Sequence, residues 1–157
     1  VTLNLEGEGS MLYQIVGRFY TPWTMAHPEQ EPMSIAVTYD KNQLAVNDMV
    51  TAHVKVTNNR PAAAQMIIVD LGIPPGFEVQ AADLEKLVED GTIEKYEMTG
   101  RQVILYFEKI GGNATVEFSY QLRARFPLRA KTPESRAYEY YNPEVEAKSE
   151  PVAMVVE

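Results

Sequence analysis

From Thr115 to Phe126 the chain alternates without a break. Val116, Phe118, Tyr120, Leu122, Ala124 and Phe126 occupy one parity, and Thr115, Glu117, Ser119, Gln121, Arg123 and Arg125 the other. Successive side chains of a strand point to opposite faces, so this period of two describes a strand with one dry face and one wet face. A strand cannot bury its own apolar face and needs a second layer against it, which points to packed sheets. The pattern recurs at Ile35, Val37 and Tyr39, and at Val50, Ala52, Val54 and Val56, where Thr51, His53, Lys55 and Thr57 face water. Met66 to Val69 is continuously apolar and reads as a central strand covered on both sides.

Turn chemistry separates these runs. Asn58-Asn59-Arg60-Pro61, Pro74-Pro75-Gly76 and Gly111-Gly112-Asn113 tolerate or impose turn dihedrals, and Thr99-Gly100 closes a hairpin between Tyr96 and Val103. Tyr138 with Tyr140, then Val145 with Ala147 beyond Pro143, give two further short strands, and Val152 to Val156 a last one. One segment breaks the pattern. In AADLEKLVEDG, Leu84, Leu87 and Val88 fall at helical spacing, Asp83 suits the first turn and Gly91 can end the helix. A helix this short is marginal alone and must lay its leucine stripe on a sheet. The expected fold is all-β: an antiparallel, immunoglobulin- or fibronectin-like β-sandwich of about seven to nine strands with one short α-helix inserted. Residues 33–157 form that domain. Residues 21–32, TPWTMAHPEQEP, with three prolines, read as a linker. Within residues 1–20, Met11 to Phe19 reads as a strand without a sheet of its own, an edge that attracts a partner from the main domain or a second copy.

Composition narrows the function. Twenty-two acidic against 14 basic side chains leave a net charge of −8, which repels nucleic acid and anionic membrane surfaces. The absence of cysteine removes disulfides, thiolate metal sites and cysteine nucleophiles together. His27 in the linker and His53 on a polar strand face have no histidine or carboxylate partner close in sequence for catalysis or metal binding. Asp40, Asn42, Asn47 and Asp48 offer oxygen ligands but match no complete calcium loop, so they read as turn residues. No cofactor motif is present, and the domain is expected to be non-catalytic, with a protein as its partner.

Two surfaces could meet that partner. The helix carries Asp83, Glu85, Lys86 and Glu89, an acidic face suited to a basic surface, although a solvated helix face accounts for the same pattern. Arg123, Arg125, Arg129 and Lys131, followed by Arg136, make a basic stretch that could dock an acidic domain. The plainer account pairs them with cross-strand carboxylates such as Glu117. Tyr138, Tyr140 and Tyr141 are expected to contribute to the core, with at least one pointing inward, the alternative being an exposed binding patch. Asn113-Ala114-Thr115 is a glycosylation sequon that has meaning only in a eukaryotic secretory pathway.

IAVTYDKNQLAVNDMVTAHVKVTNN, MIIVDLGIPPGFEV, the short helix, RQVILYFEKI, FSYQLRARFPLRA and AYEYYNPEV follow one another in an order that resembles the C-terminal receptor-binding domain of alpha-2-macroglobulin-type, thioester-containing proteins. The resemblance covers residues 33–157. Its most specific pieces are the strand leading through Gly76-Phe77 into the helix and the aromatic run Tyr138-Glu139-Tyr140-Tyr141. LYQIVGRFYTP is similar to the closing strand of the CUB-like domain that precedes it in that family. The resemblance implies a macroglobulin-like sandwich at the end of a secreted or periplasmic protease trap, in contact with the parent's upstream domains, a trapped protease or a receptor. Any thioester of the parent lies upstream, because this chain has neither the cysteine nor the Gly-Glu-Gln segment that bond requires. In vertebrate members two helix lysines four apart meet a clearance receptor; the corresponding positions here are Ala81 and Glu85. The competing reading is an adhesion module of a surface protein, since a sandwich fold does not by itself determine function.

Overall fold

Residues 31–157 are described by the computed structural model, and each alternating run among them lies in a sheet. In chain order the elements are β1 (Met33–Tyr39), β2 (Gln43–Leu44), β3 (Met49–Asn58), β4 (Ala64–Gly72), β5 (Phe77–Val79), α1 (Ala81–Glu89), β6 (Lys95–Met98), β7 (Gln102–Ile110), β8 (Thr115–Ala124), β9 (Leu128–Lys131), β10 (Arg136–Glu139), β11 (Asn142–Lys148) and β12 (Ala153–Val156). A four-stranded sheet runs β1-β3-β8-β5 and a five-stranded sheet β11-β10-β4-β7-β6, with every pairing antiparallel. The strand expected at residues 11–19 and most of the linker expected at residues 21–32 lie outside the described residues.

The register explains how the layers close. Val37, Val54 and Phe118 stand side by side across the first sheet, and Ala137, Val69 and Leu105 across the second. All six are buried and belong to one continuous core. Phe118 of β8 meets Phe107 of β7 with ring centroids 6.0 Å apart, a contact from one layer to the other. A third, three-stranded sheet, β2-β12-β9, is an addition to the expected architecture. It delivers Leu44, Met154 and Val156 to the same core. Strands of two to four residues are too short to display alternation, which is why the twelve strands exceed the expected number.

Three expectations need correction. Phe126 continues the β8 alternation but is 65% exposed, because β8 ends at Ala124. There Asn47 donates to the Ala124 carbonyl, Ala124 donates to that of Asp48, and the chain leaves the sheet. Met66 was expected to be covered on both sides, yet it is 39% exposed with φ at +51°, whereas Ile67, Ile68 and Val69 are buried. The tyrosines do not enter the core: Ala137 takes the inward position of β10, so Tyr138 faces out beneath the Arg136 guanidinium, and Tyr140 and Tyr141 are exposed.

Polar groups fasten the two ends of the sandwich. At the end where the chain joins the domain, the buried Asn58 amide donates to the carbonyls of Ala62 and Gly111 at 2.8 and 3.0 Å and accepts from the Arg60 N–H. Gly112 lies so close to the Pro61 carbonyl that a Cβ would collide with it. At the opposite end Gly76 has φ at +76°, and the space a Cβ would fill is taken by Leu128 of β9. Asp40 accepts the Thr51 N–H and Asp48 the Ala45 N–H, the turn roles anticipated for these carboxylates.

Burial has a titration consequence. The Tyr39 hydroxyl is pushed up from 10.0 to about 12 by desolvation, partly offset by its hydrogen bond with Thr132, and burial raises the Tyr120 hydroxyl further. A folded-state pKa above the unfolded one stabilises the fold fully below the unfolded value, and the contribution is lost as pH rises through the folded value. Stability should therefore hold to pH 10 and fall between pH 10 and 12. Tyr39→Phe should make the fall shallower by roughly 2 kcal/mol, as read by urea unfolding at successive pH values.

Candidate interaction surfaces

Helix α1 occupies the crossover from the four-stranded to the five-stranded sheet. β5 pairs with β8 only as far as Val79 opposite Leu122, which leaves the backbone of Gln121 without a strand on the side away from β3. The helix start supplies the missing partners. The Gln80 N–H donates to the Gln121 carbonyl at 2.9 Å, and the Gln121 N–H donates to the Asp83 carboxylate at 2.8 Å. Asp83 is thus held by the sheet, in the first turn where its charge also suits the helix dipole. Leu84 is fully buried beneath the helix and Leu87 packs against the core edge, whereas Val88 is 37% exposed. Asp90 closes the C-terminus by donating to Lys86 O at 2.9 Å, and Gly91 follows with φ at +69°.

The rest of the helix faces water. Glu85, Lys86, Glu89 and Asp90 are exposed, and none forms an ion pair with another described residue. Of the four helix residues singled out in the sequence, Asp83 is committed to the fold, while Glu85, Lys86 and Glu89 are free to meet a partner. Ala81 is half-buried at the first helical residue, and Glu85 is exposed one turn further on.

The basic residues divide between two sheets. Arg123 is on β8 and Arg125 just beyond it, whereas Arg129 and Lys131 are on β9 of the three-stranded sheet. Arg125 meets Glu78 of β5 at 3.6 Å, Arg129 meets Glu157 at 3.3 Å, and Arg136 meets the buried Asp70 at 3.5 Å. Glu117, considered as a partner for the arginines, pairs instead with Lys55 at 2.9 Å. That register brings Lys55 opposite Glu117 and His53 opposite Ser119, on the wet face of the four-stranded sheet. Exposed pairs of this kind contribute little to stability.

A depression of about 740 Å³ lies between Pro74, Pro75, Phe77, Arg101 and Pro133 at the end away from the chain's point of attachment. Among the described residues no group of three or more histidine, aspartate or glutamate side chains is placed to hold a metal ion, and no helix is long and apolar enough to cross a membrane.

Residues 62–151, more than half of the chain, match the family model of the A-macroglobulin receptor binding domain. The chain belongs to that family. Complement C3 of Eptatretus burgeri is 29% identical over 82 residues, 50% of this chain and 5% of that protein. Two solved structures share the macroglobulin-like fold. Salmonella alpha-2-macroglobulin reacted with methylamine superposes with a TM-score of 0.69 at 16% identity, over 86% of this chain and 10% of that one. Native Escherichia coli alpha-2-macroglobulin from domain MG7 to its C-terminus gives 0.70 at 15%, over 85% and 25%. The chain thus spans only a small part of the length of these relatives.

Within a macroglobulin receptor-binding domain, the Gln121–Asp83 bond separates a structural carboxylate from exposed ones. Asp83→Ala removes this hydrogen bond at an exposed edge and should cost about 0.5–1.5 kcal/mol, with faster hydrogen exchange at Gln121. Glu85→Ala removes a solvated charge and should change stability by less than about 0.5 kcal/mol. Equal losses for the two would contradict the distinction.

Proposed function

We propose that this chain is the C-terminal interaction and regulatory domain of an alpha-2-macroglobulin-like, broad-spectrum protease inhibitor. In this reading it acts through contacts and carries out no bond chemistry. The observation that carries the reading is the family match over residues 62–151, supported by the fold shared with two bacterial alpha-2-macroglobulins. The parent is secreted or periplasmic. Residues 1–20 are the end of a preceding CUB-like domain and residues 21–32 the linker from it.

The contact surface is the exposed acidic face of α1, Glu85, Glu89 and Asp90 around the single Lys86. A face with three carboxylates and one ammonium group suits a basic protein surface and not the acidic pockets that lysine pairs address. The partner is therefore a basic patch on an upstream domain of the parent or on a captured protease. The distributed arginines are secondary, since Arg125 and Arg129 already have carboxylates beside them.

Protease challenge of the parent protein with and without residues 33–157 tests this function. Removal should abolish or strongly reduce retention of the protease, and Glu85→Lys with Glu89→Lys in the intact parent should reduce it while leaving the fold unchanged. Full retention after removal would overturn the reading.

A further inference from the structure

The end of the sandwich away from the point of attachment carries an open groove between three loops. Ile73, Pro74 and Pro75 of the β4–β5 loop, with Phe77 at the start of β5, form one wall. Arg101 of the β6–β7 hairpin and Pro133 of the β9–β10 connection form the others. The space between them is about 740 Å³, within the range of clefts that take a ligand. Beside it stands Phe126, which is 65% exposed, its Cδ2 being 3.9 Å from the point that a Cβ on Gly76 would occupy. An aromatic ring facing water next to an apolar groove is surface that gains from being covered.

The walls are held in place by backbone hydrogen bonds. Ile73 donates its N–H to the Arg101 carbonyl at 2.8 Å, Gly72 donates to the buried Ser135 hydroxyl at 3.0 Å, and Arg125 donates to the Gly76 carbonyl at 2.9 Å. The N–H groups of Arg101 and Gln102 both donate to the Thr99 hydroxyl. Pro74, Pro75 and Pro133 have fixed φ, so little ordering is left to be done when the groove is filled.

The charge of the groove is the reverse of the chain's. Arg101 is the only charged residue lining it, in a chain with a net charge of −8. The carboxylates adjoining the lining residues are engaged elsewhere: Asp70 accepts from Gln102 and pairs with Arg136, Glu78 meets Arg125, and Glu134 meets Lys148. Arg101 is exposed and forms no ion pair with another described residue. A guanidinium presents a planar fork of donors that fits a carboxylate through two bonds at once, and the proline walls beside it favour an apolar side chain. We propose that this groove docks an acidic, apolar peptide segment of a protein partner, with Arg101 taking its carboxylate and Phe126 and the prolines its neighbouring apolar side chain. The site is made by other residues than the acidic face of α1 and selects a partner surface of opposite charge. It does not depend on what the parent inhibits.

A random heptapeptide library displayed on phage and panned on the 157-residue chain supplies the probe. Enriched peptides should carry Asp or Glu beside an aromatic or aliphatic residue. The affinity of one of them, synthesised and labelled, is read by fluorescence anisotropy. Arg101→Glu should weaken it by about tenfold or more, and Phe126→Ala by about fivefold. Lys109→Glu makes the same change of charge on an exposed residue at the other end of β7 and should leave the affinity as it is. Arg101 and Phe126 are both exposed, so the thermal midpoints of their variants should match that of the wild-type chain. No enrichment, enriched peptides without a carboxylate, or equal losses for Arg101→Glu and Lys109→Glu would overturn the proposal. So would self-association of the chain that Arg101→Glu abolishes, since the occupant would then be a second copy.

Discussion

Everything in this domain depends on covering the dry face of β8. Phe118, Tyr120, Leu122 and Ala124 are buried on one side of a strand whose other side carries Glu117, Ser119 and Gln121. The cover is the inner face of the five-stranded sheet, reached where Phe107 meets Phe118. Strands β3 and β5 flank β8 and the sequence between β5 and β7 must cross from one layer to the other. Helix α1 makes that crossing with Leu84 in the core and its charged face outside. The acidic surface is thus a by-product of the way the sandwich is closed, held at a fixed place by a carboxylate-to-backbone bond at Gln121.

That arrangement separates two uses of the same residue type. Asp83, Asp40 and Asp48 accept backbone N–H groups that the strands leave unpaired, and Asp70 is buried between Gln102 and Arg136. Glu85, Glu89 and Asp90 have no such task. An excess of eight negative charges is therefore not uniformly available to a partner. Glu85, Glu89 and Asp90 cluster on one short helix and its C-cap, whereas other exposed carboxylates such as Glu108, Glu144 and Glu150 are dispersed over the strands and loops.

The long strands and the helix were legible in the sequence because their apolar residues keep a strict period: Val50 to Val56, Val116 to Ala124, and Leu84 with Leu87. Phe126 kept the period after the neighbouring strands had ended, and periodicity cannot register the loss of a partner. The last strand was read from the apolar run at Val152 to Val156, but the sheet it forms escaped because its partners β2 and β9, of two and four residues, are too short to show a period. The tyrosines misled because aromatic character outweighed parity, although Ala137 holds the inward position. In the candidate surface, the helix and its charge could be read directly. The commitment of Asp83 could not, since it depends on β5 stopping one residue before Gln121. The tie from Asn59 through Arg60 to Glu139 at the end of β10 joins residues 79 positions apart and leaves no local signal.

The central claim is that the exposed carboxylates of α1 meet a basic surface of the protein from which this domain comes. Titration calorimetry of residues 33–157 against the remainder of the parent, at low and high salt, measures that contact most directly. The account predicts saturable binding that weakens with salt and is lost with Glu85→Lys and Glu89→Lys. Binding that is absent, or that is indifferent to both salt and charge reversal, would contradict it.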